Sequence, residues 1–227
     1  MSKFSRSIPI AALILGLAAA SVSAQGPVQG DFQWYVGGQG GVFVFRTPTQ
    51  TRGGIATAGG HTLITARRTG LLLSIDEAFS SNQTSGYNDA AGTFTDVTFN
   101  DVRRYSAVLM AFPIRSAAQP YLGVGGGLLH AVNPTPTGTF ATPADIAQAQ
   151  ADARDLGTAG FLTGVAGVQF KVGRLVAFGQ YQITSSPGTE TLASGATGRL
   201  FTGSTHTFSG GLRVSLGSAR ETTRAGY

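Results

Sequence analysis

The chain has 227 residues, a formal charge of +5 and a pI near 10.0, with 33 Gly, 14 Phe, 6 Tyr, no Cys, 12% charged residues and a mean hydropathy of +0.11. A soluble domain carries roughly a quarter charged residues, so this composition excludes both a disordered chain and an ordinary water-covered surface, and the apolar excess faces something other than water. The lack of cysteine excludes disulfide scaffolds, thiolate metal sites, cysteine nucleophiles and acylation at an N-terminal Cys, and arginines that neither cluster nor interleave with aromatics give no nucleic-acid footprint.

In chain order, residues 1–24 come first: Lys3 and Arg6 precede an apolar run from Ile8 to Ala20, and Val22-Ser23-Ala24 follows. This is the three-part pattern of a secretory signal peptide cleaved after Ala24. The run is shorter than the roughly 20 residues that a membrane-spanning helix needs.

Residues 25–217 are predicted as eight strands, and 218–227 as a short tail. The first strand, about Asp31 to Thr47, alternates Phe32, Trp34, Val36, Val42 and Val44 against Gln33, Tyr35 and Gln39. The second, about Gly59 to Arg68, nearly abuts the third, about Thr69 to Ser80. The fourth, about Asp96 to Phe112, leaves its register open between Val102, Arg104, Ser106, Val108 and Arg103, Tyr105, Ala107, Leu109. The fifth covers about Gln119 to Val132. The sixth, about Asp155 to Phe170, turns through Lys171 to Arg174 into the seventh, which ends near Ser185. The eighth, about Gly203 to Leu216, sets His206, Phe208, Leu212, Val214 and Leu216 opposite Thr207, Ser209, Arg213 and Ser215. Period two on β-branched and aromatic residues is the signature of strands with two different faces.

Connections after the second, fourth and sixth strands are short. Those after the first, third, fifth and seventh are long, about Pro48 to Ala58, Ser81 to Thr95, Asn133 to Arg154 and Ser186 to Thr202. Such alternation puts all the short turns at one end of an up-and-down meander, the periplasmic end in outer-membrane barrels. Thr142-Pro143-Ala144-Asp145 offers an N-cap and a first-turn proline, which predicts one or two helical turns inside the third long loop. Aromatics near segment ends, among them Phe32, Trp34, Tyr35, Phe43, Phe45, Phe112 and Tyr121, are expected to form interfacial girdles. A soluble lipocalin-like or sandwich domain would carry charges on its outer faces, whereas here charges gather in the turns and loops.

The segments DFQWYVGGQGGVFVFRTP, GGHTLITARRTGLLLSI, DVRRYSAVLMAFP, QPYLGVGGGLLHAV and HTFSGGLRVSLG together resemble the small outer-membrane β-barrel proteins of Gram-negative bacteria, the OmpA/OmpX-like and opacity-porin-like group. The resemblance covers essentially the whole chain after residue 24. It implies an all-β fold, an eight-stranded antiparallel up-and-down transmembrane barrel in the cell outer membrane. It further implies contact with outer-membrane lipids and insertion by the outer-membrane assembly machinery with periplasmic chaperones. Gly211, Val214 and Leu216 match the family's closing-strand assembly signal, with aliphatics where aromatics are usual, and the chain departs by running on through SARETTRAGY.

An acyl-transfer site on such a barrel needs a hydroxyl nucleophile, a His base and an orienting acid. His206 shares its face with Phe208 and Leu212 rather than with Thr207 and Ser209, and His130 falls with Leu122, Val124 and Leu128. With His61, these three dispersed histidines suggest neither catalysis nor a metal. The run Gly123 to Gly127 lacks the Lys-Ser/Thr and following helix of a phosphate loop and reads as room for interior side chains such as Tyr121 or Tyr35. The expected interior polar residues are Gln33, Tyr35, Gln39, Asp76, Tyr121, Gln169, Gln180, Gln182 and Arg213. A charge at mid-membrane on the lipid face costs about 2–4 kcal/mol, so Arg213 should point inward and pair with Asp76, Glu77 or Asp101. Eight strands leave an interior that side chains fill.

By connection, the long loops hold Asp89, Asp145, Asp152 and Glu190 against Arg52, Arg154 and Arg199. The short turns and tail hold Arg67, Arg68, Arg115, Lys171, Arg174, Arg220 and Arg224 against Glu221. The expected role is structural or surface-interacting, toward an unspecified surface ligand, with no enzymatic step and no cofactor. A narrow channel for small solutes is the second reading, and a lipid-modifying enzyme the third.

Overall fold

Eight long segments with one apolar and one mixed face can satisfy every backbone group away from water only by closing on themselves. The structure, a computed structural model, describes residues 32–51, 53–89, 92–114, 116–185 and 190–219. The leader, Arg52, Arg115 and the tail from 220 onward lie outside the described residues. The strands are β1 (Phe32–Phe45), β2 (Gly53–Ala66), β3 (Thr69–Ala78), β4 (Gln83–Asn88), β5 (Phe94–Phe99), β6 (Val102–Ala111), β7 (Ala118–Ala131), β8 (Thr135–Thr137), β9 (Thr158–Val172), β10 (Leu175–Thr184), β11 (Glu190–Thr191), β12 (Thr197–Arg199) and β13 (Thr205–Ala219), with one helix, α1 (Pro143–Leu156). Eight of them form a closed antiparallel barrel in the order β1-β13-β10-β9-β7-β6-β3-β2. The seam pairs Phe32 with Ala219 and Val44 with His206, with a bulge at Trp34/Tyr35.

The other five strands make a second sheet, β11-β12-β4-β5-β8, built from the long connections at one end of the barrel. This overturns several boundaries. The expected fourth strand, Asp96 to Phe112, is two elements: β5 belongs to the second sheet, and Asn100-Asp101 separates it from β6. The second strand begins at Gly53, so the first connection shrinks to 46–52; Gly-Gly-Ile-Ala-Thr-Ala-Gly-Gly is too poor in large side chains to display period two. The helix runs fourteen residues rather than one or two turns and takes the expected start of the sixth strand. Its capping box explains the firm start: the Thr142 hydroxyl accepts from the Asp145 amide, and the Asp145 carboxylate accepts from the Thr142 amide.

Outward positions of the barrel are apolar and bare, with Leu162 72% and Val172 76% exposed, while alternate positions are buried. The aromatic expectation holds only in part. Phe32, Trp34 and Phe170 face outward near the short-turn end, and Phe79, Tyr105 and Phe208 do so toward the other. Phe43, Phe45, Phe112, Tyr35 and Tyr121 are buried inside instead, because their parity along the strand, not their nearness to its end, decides which face they join. Inward glycines make the interior possible. A Cβ on Gly37 would stand 2.3 Å from the Leu212 carbonyl oxygen and 2.9 Å from both Arg213 Cγ and His61 Nε2, whereas one on outward Gly179 would meet nothing within 4 Å. Gly37→Val should therefore cost roughly 1–3 kcal/mol of overpacking and deplete the fast-migrating folded band of unboiled protein on a gel, while Gly179→Val keeps that band.

Candidate functional site

Inward positions build three interior zones. At the end carrying the second sheet, Phe43, Phe45, Ala78, Phe99, Val102, Leu129, Ala131, Phe161, Leu200 and Phe201 form one apolar cluster. Phe201 enters it from the β12–β13 connection and meets Phe43 edge-on at 5.8 Å. Toward the short turns a second cluster joins Tyr35, Leu63, Leu72, Val108, Met110, Phe112, Tyr121, Val165 and Val176, drawn from most of the barrel strands.

Polar side chains occupy the middle. The register of β6 turns Arg104 inward, 2% exposed, where its NH1 donates to Thr207 Oγ1 (2.7 Å), its NH2 lies 3.9 Å from Asp76 Oδ2, and its guanidinium lies 4.7 Å from the centre of the Phe43 ring. Asp76 also accepts from Ser74 (3.2 Å) and from the Gln39 amide. Gln39 accepts from Gln180 Nε2 (3.3 Å), and Gln180 Oε1 accepts a hydrogen bond from the Tyr121 hydroxyl (3.1 Å). Gln182 donates to Thr163 (2.9 Å). At the short-turn mouth, Gln33 Oε1 accepts from the Tyr35 hydroxyl (2.6 Å) and from Lys171 Nζ (3.4 Å).

Arg213 is fully buried and points inward, but its partners are not carboxylates. Its Nε donates to His61 Nε2 (2.8 Å), its NH1 donates to Gln169 Oε1 (2.9 Å), and its guanidinium stacks 3.9 Å from the centre of the Phe178 ring. The expected pairing fails for a positional reason: Asp76 is taken by Arg104, Glu77 faces outward with Arg103 (3.2 Å), and Asp101 binds the Ser80 amide. Gln169 in turn donates to Gln119 (2.9 Å). Arg104 and His61 are interior residues beyond those expected. Alternation of His61 with Leu63 carried that signal for His61, while Arg104 needed the undecided register of the fourth strand.

Of the closing-strand residues, Gly211 faces inward and leaves no room for a Cβ, which would lie 2.1 Å from the Gly38 carbonyl oxygen, while Val214 and Leu216 face outward. His206 and His130 also lie on the outer wall. His206 Nδ1 is 2.7 Å from the Tyr181 hydroxyl, and His130 Nδ1 is 2.9 Å from Thr158 Oγ1; neither contact supplies the orienting acid of a nucleophilic relay.

The second sheet has a core of its own. Tyr87, Val97, Ala153, Leu156, Leu192 and Ala196 pack α1 onto β4, β5 and the β11–β12 turn. Buried Asp152 fastens the helix to that turn by accepting from the Ser194 amide (3.0 Å). Burial, reinforced by Asp152 and Asp89, pushes the Tyr87 hydroxyl pKa above its usual 10.0 against a Thr95 hydrogen bond, so it stays a neutral packing group. Ser85 donates to the Leu200 carbonyl (3.0 Å), and Thr47 donates to that of Thr84 (2.6 Å), tying the connections together. They form a folded head rather than separate loops.

Breaking the buried ion pair from one side strands the other charge. Asp76→Asn should destabilise the barrel by roughly 3 kcal/mol in urea unfolding, and Arg104→Met combined with Asp76→Asn should recover most of that loss.

No family model and no curated protein matches the chain. Among solved structures it is similar to Neisserial surface protein A, with a TM-score of 0.53 at 12% identity over 80% of this chain and 96% of that one. The outer membrane protein OprG from Pseudomonas aeruginosa matches with a TM-score of 0.42 at 13% identity, over 84% of this chain and 99% of that one. In fold, then, the chain is a closed eight-stranded antiparallel barrel, similar to Neisserial surface protein A.

Proposed function

We propose that the chain is an outer-membrane barrel with no through-channel, whose role is to hold a folded head at the cell surface for contact with other molecules. The observation that carries this reading is the pair of apolar clusters crossing the interior, one under the head and one toward the short turns, with the polar middle between and beside them. A solute path would have to pass Phe43, Phe45 and Phe201 at the outer mouth. The bare apolar wall with outward aromatics near both ends supports a membrane around the barrel. The short turns then face the periplasm and the head faces out. On this reading the leader is removed on export, and periplasmic chaperones and the assembly machinery deliver the chain. The wall histidines take no part in chemistry, and the head carries the interaction.

The polar middle, with Arg104, Asp76 and Arg213, is the observation that favours a narrow channel as the second reading. Conductance decides between them. Purified barrel in a planar bilayer is expected to give no unitary steps, and reproducible steps would establish the channel. The head is expected to be a separable layer: Leu156→Asp should expose it to protease on proteoliposomes while the barrel keeps its unboiled gel mobility.

A further inference from the structure

Basic side chains occur at both ends of the barrel, whereas the acidic ones keep away from the short turns. Arg67 and Arg68 form the turn between β2 and β3, and Arg174 lies in the turn between β9 and β10; all three are exposed. Among the described residues, the carboxylates lie at the head end or, for Asp76, inside the barrel, so nothing acidic stands beside these turns.

The backbone adds a separate sign. Arg67 holds φ = 53°, the left-handed region that glycine or asparagine adopts with least cost, and in the β9–β10 turn Gly173 occupies that region at φ = 61°. An arginine at 67 is therefore a costlier choice for the turn than glycine or asparagine would be. Both turns are also pinned: the Arg68 carbonyl accepts from the Phe112 amide (2.7 Å), and that of Arg174 accepts from the Ser215 amide (2.8 Å). The guanidiniums are therefore presented on a fixed rim.

β1 runs between β2 and β13, and outward Phe32 and Trp34 begin it at the same height. Phe32 pairs with Ala66, one residue before Arg67, and Tyr35 pairs with Ser215, the residue bound to Arg174. One strand end thus carries two interfacial aromatics with a basic turn on either side. Aromatic rings sit at the depth where acyl chains meet headgroups, and arginines just beyond them sit at the depth of phosphate, which the guanidinium fork grips in bidentate fashion.

We propose that this rim, Arg67, Arg68 and Arg174 about Phe32 and Trp34, is a docking surface for anionic phospholipid, on the leaflet that faces the short turns. It rests on the membrane reading above and adds a lipid preference to it. Trp34 is the sole tryptophan of the chain, so its fluorescence reports that rim. The refolded full chain is reconstituted at low salt in mixed bilayers in which either phosphatidylglycerol or phosphatidylcholine carries brominated acyl chains. Brominated phosphatidylglycerol is expected to quench Trp34 as though enriched roughly two- to fivefold around it, and high salt should bring the two lipids to parity. Arg67→Asn with Arg68→Gln and Arg174→Gln should abolish the excess; Arg67→Asn suits the turn, so folding is kept. Arg154→Gln, at the head end, should leave the excess unchanged. Equal quenching by the two lipids at low salt, an excess that survives the triple variant, or one lost in Arg154→Gln would overturn the proposal. Quenching by neither lipid would instead overturn the membrane placement, and the lipid preference with it.

Discussion

A peptide group buried without a hydrogen-bond partner costs several kcal/mol, and the pairing of β1 with β13 is what removes that cost along the barrel's seam. Without the seam both strands would be open edges. Because the seam brings backbones close, it depends on small residues: Gly37 and Gly41 on β1 and Gly211 on β13 would each drive a Cβ into a facing carbonyl oxygen. The room they leave goes inward. Arg213 lies over Gly37 and reaches His61 on β2, so the same glycines that let the barrel close also admit its most buried cation.

The interior shows how two guanidiniums are held with one carboxylate between them. Arg104 keeps a loose ion pair, a hydroxyl acceptor and the face of Phe43. Arg213 has only neutral acceptors and the face of Phe178. Aromatic faces offer the cation favourable electrostatics without a second buried charge to desolvate, and each arginine lies against such a face. Such an interior is rigid and filled. The head has a separate core of its own, built on Tyr87, Val97 and Leu156.

Much of this was legible in the residues, and the failures have physical causes. Alternation placed Phe32, Trp34 and Val36 outward and Tyr35 inward, because a large side chain at every second position declares its face. It failed where side chains are small: the start of β2 has almost none to read. It also failed where both faces look alike, as in Val102 to Leu109, and so Arg104 was missed. Long connections read as loops because Thr, Ser, Gly and Asn dominate them, yet Tyr87, Val97, Leu192 and Leu200 were there to bury. That burial comes from segments far apart in sequence meeting above the barrel, which no local pattern records. The partner of Arg213 was misjudged because charge counting suggests a carboxylate, while only the register tells which carboxylates are already engaged.

The seam also fixes the order of events in time. Phe32 pairs with Ala219, so the first barrel strand finds its neighbour only once the last is available, and that contact has the greatest sequence separation in the fold. Loop closure over such a span is slow. Hairpins such as β2–β3 and β9–β10 are local and can form early, but a row of hairpins is an open sheet with two bare edges and an apolar face. Until the last strand arrives the chain is therefore a species prone to stick to its own kind, and its survival depends on how long it stays in water rather than on how stable the closed barrel becomes.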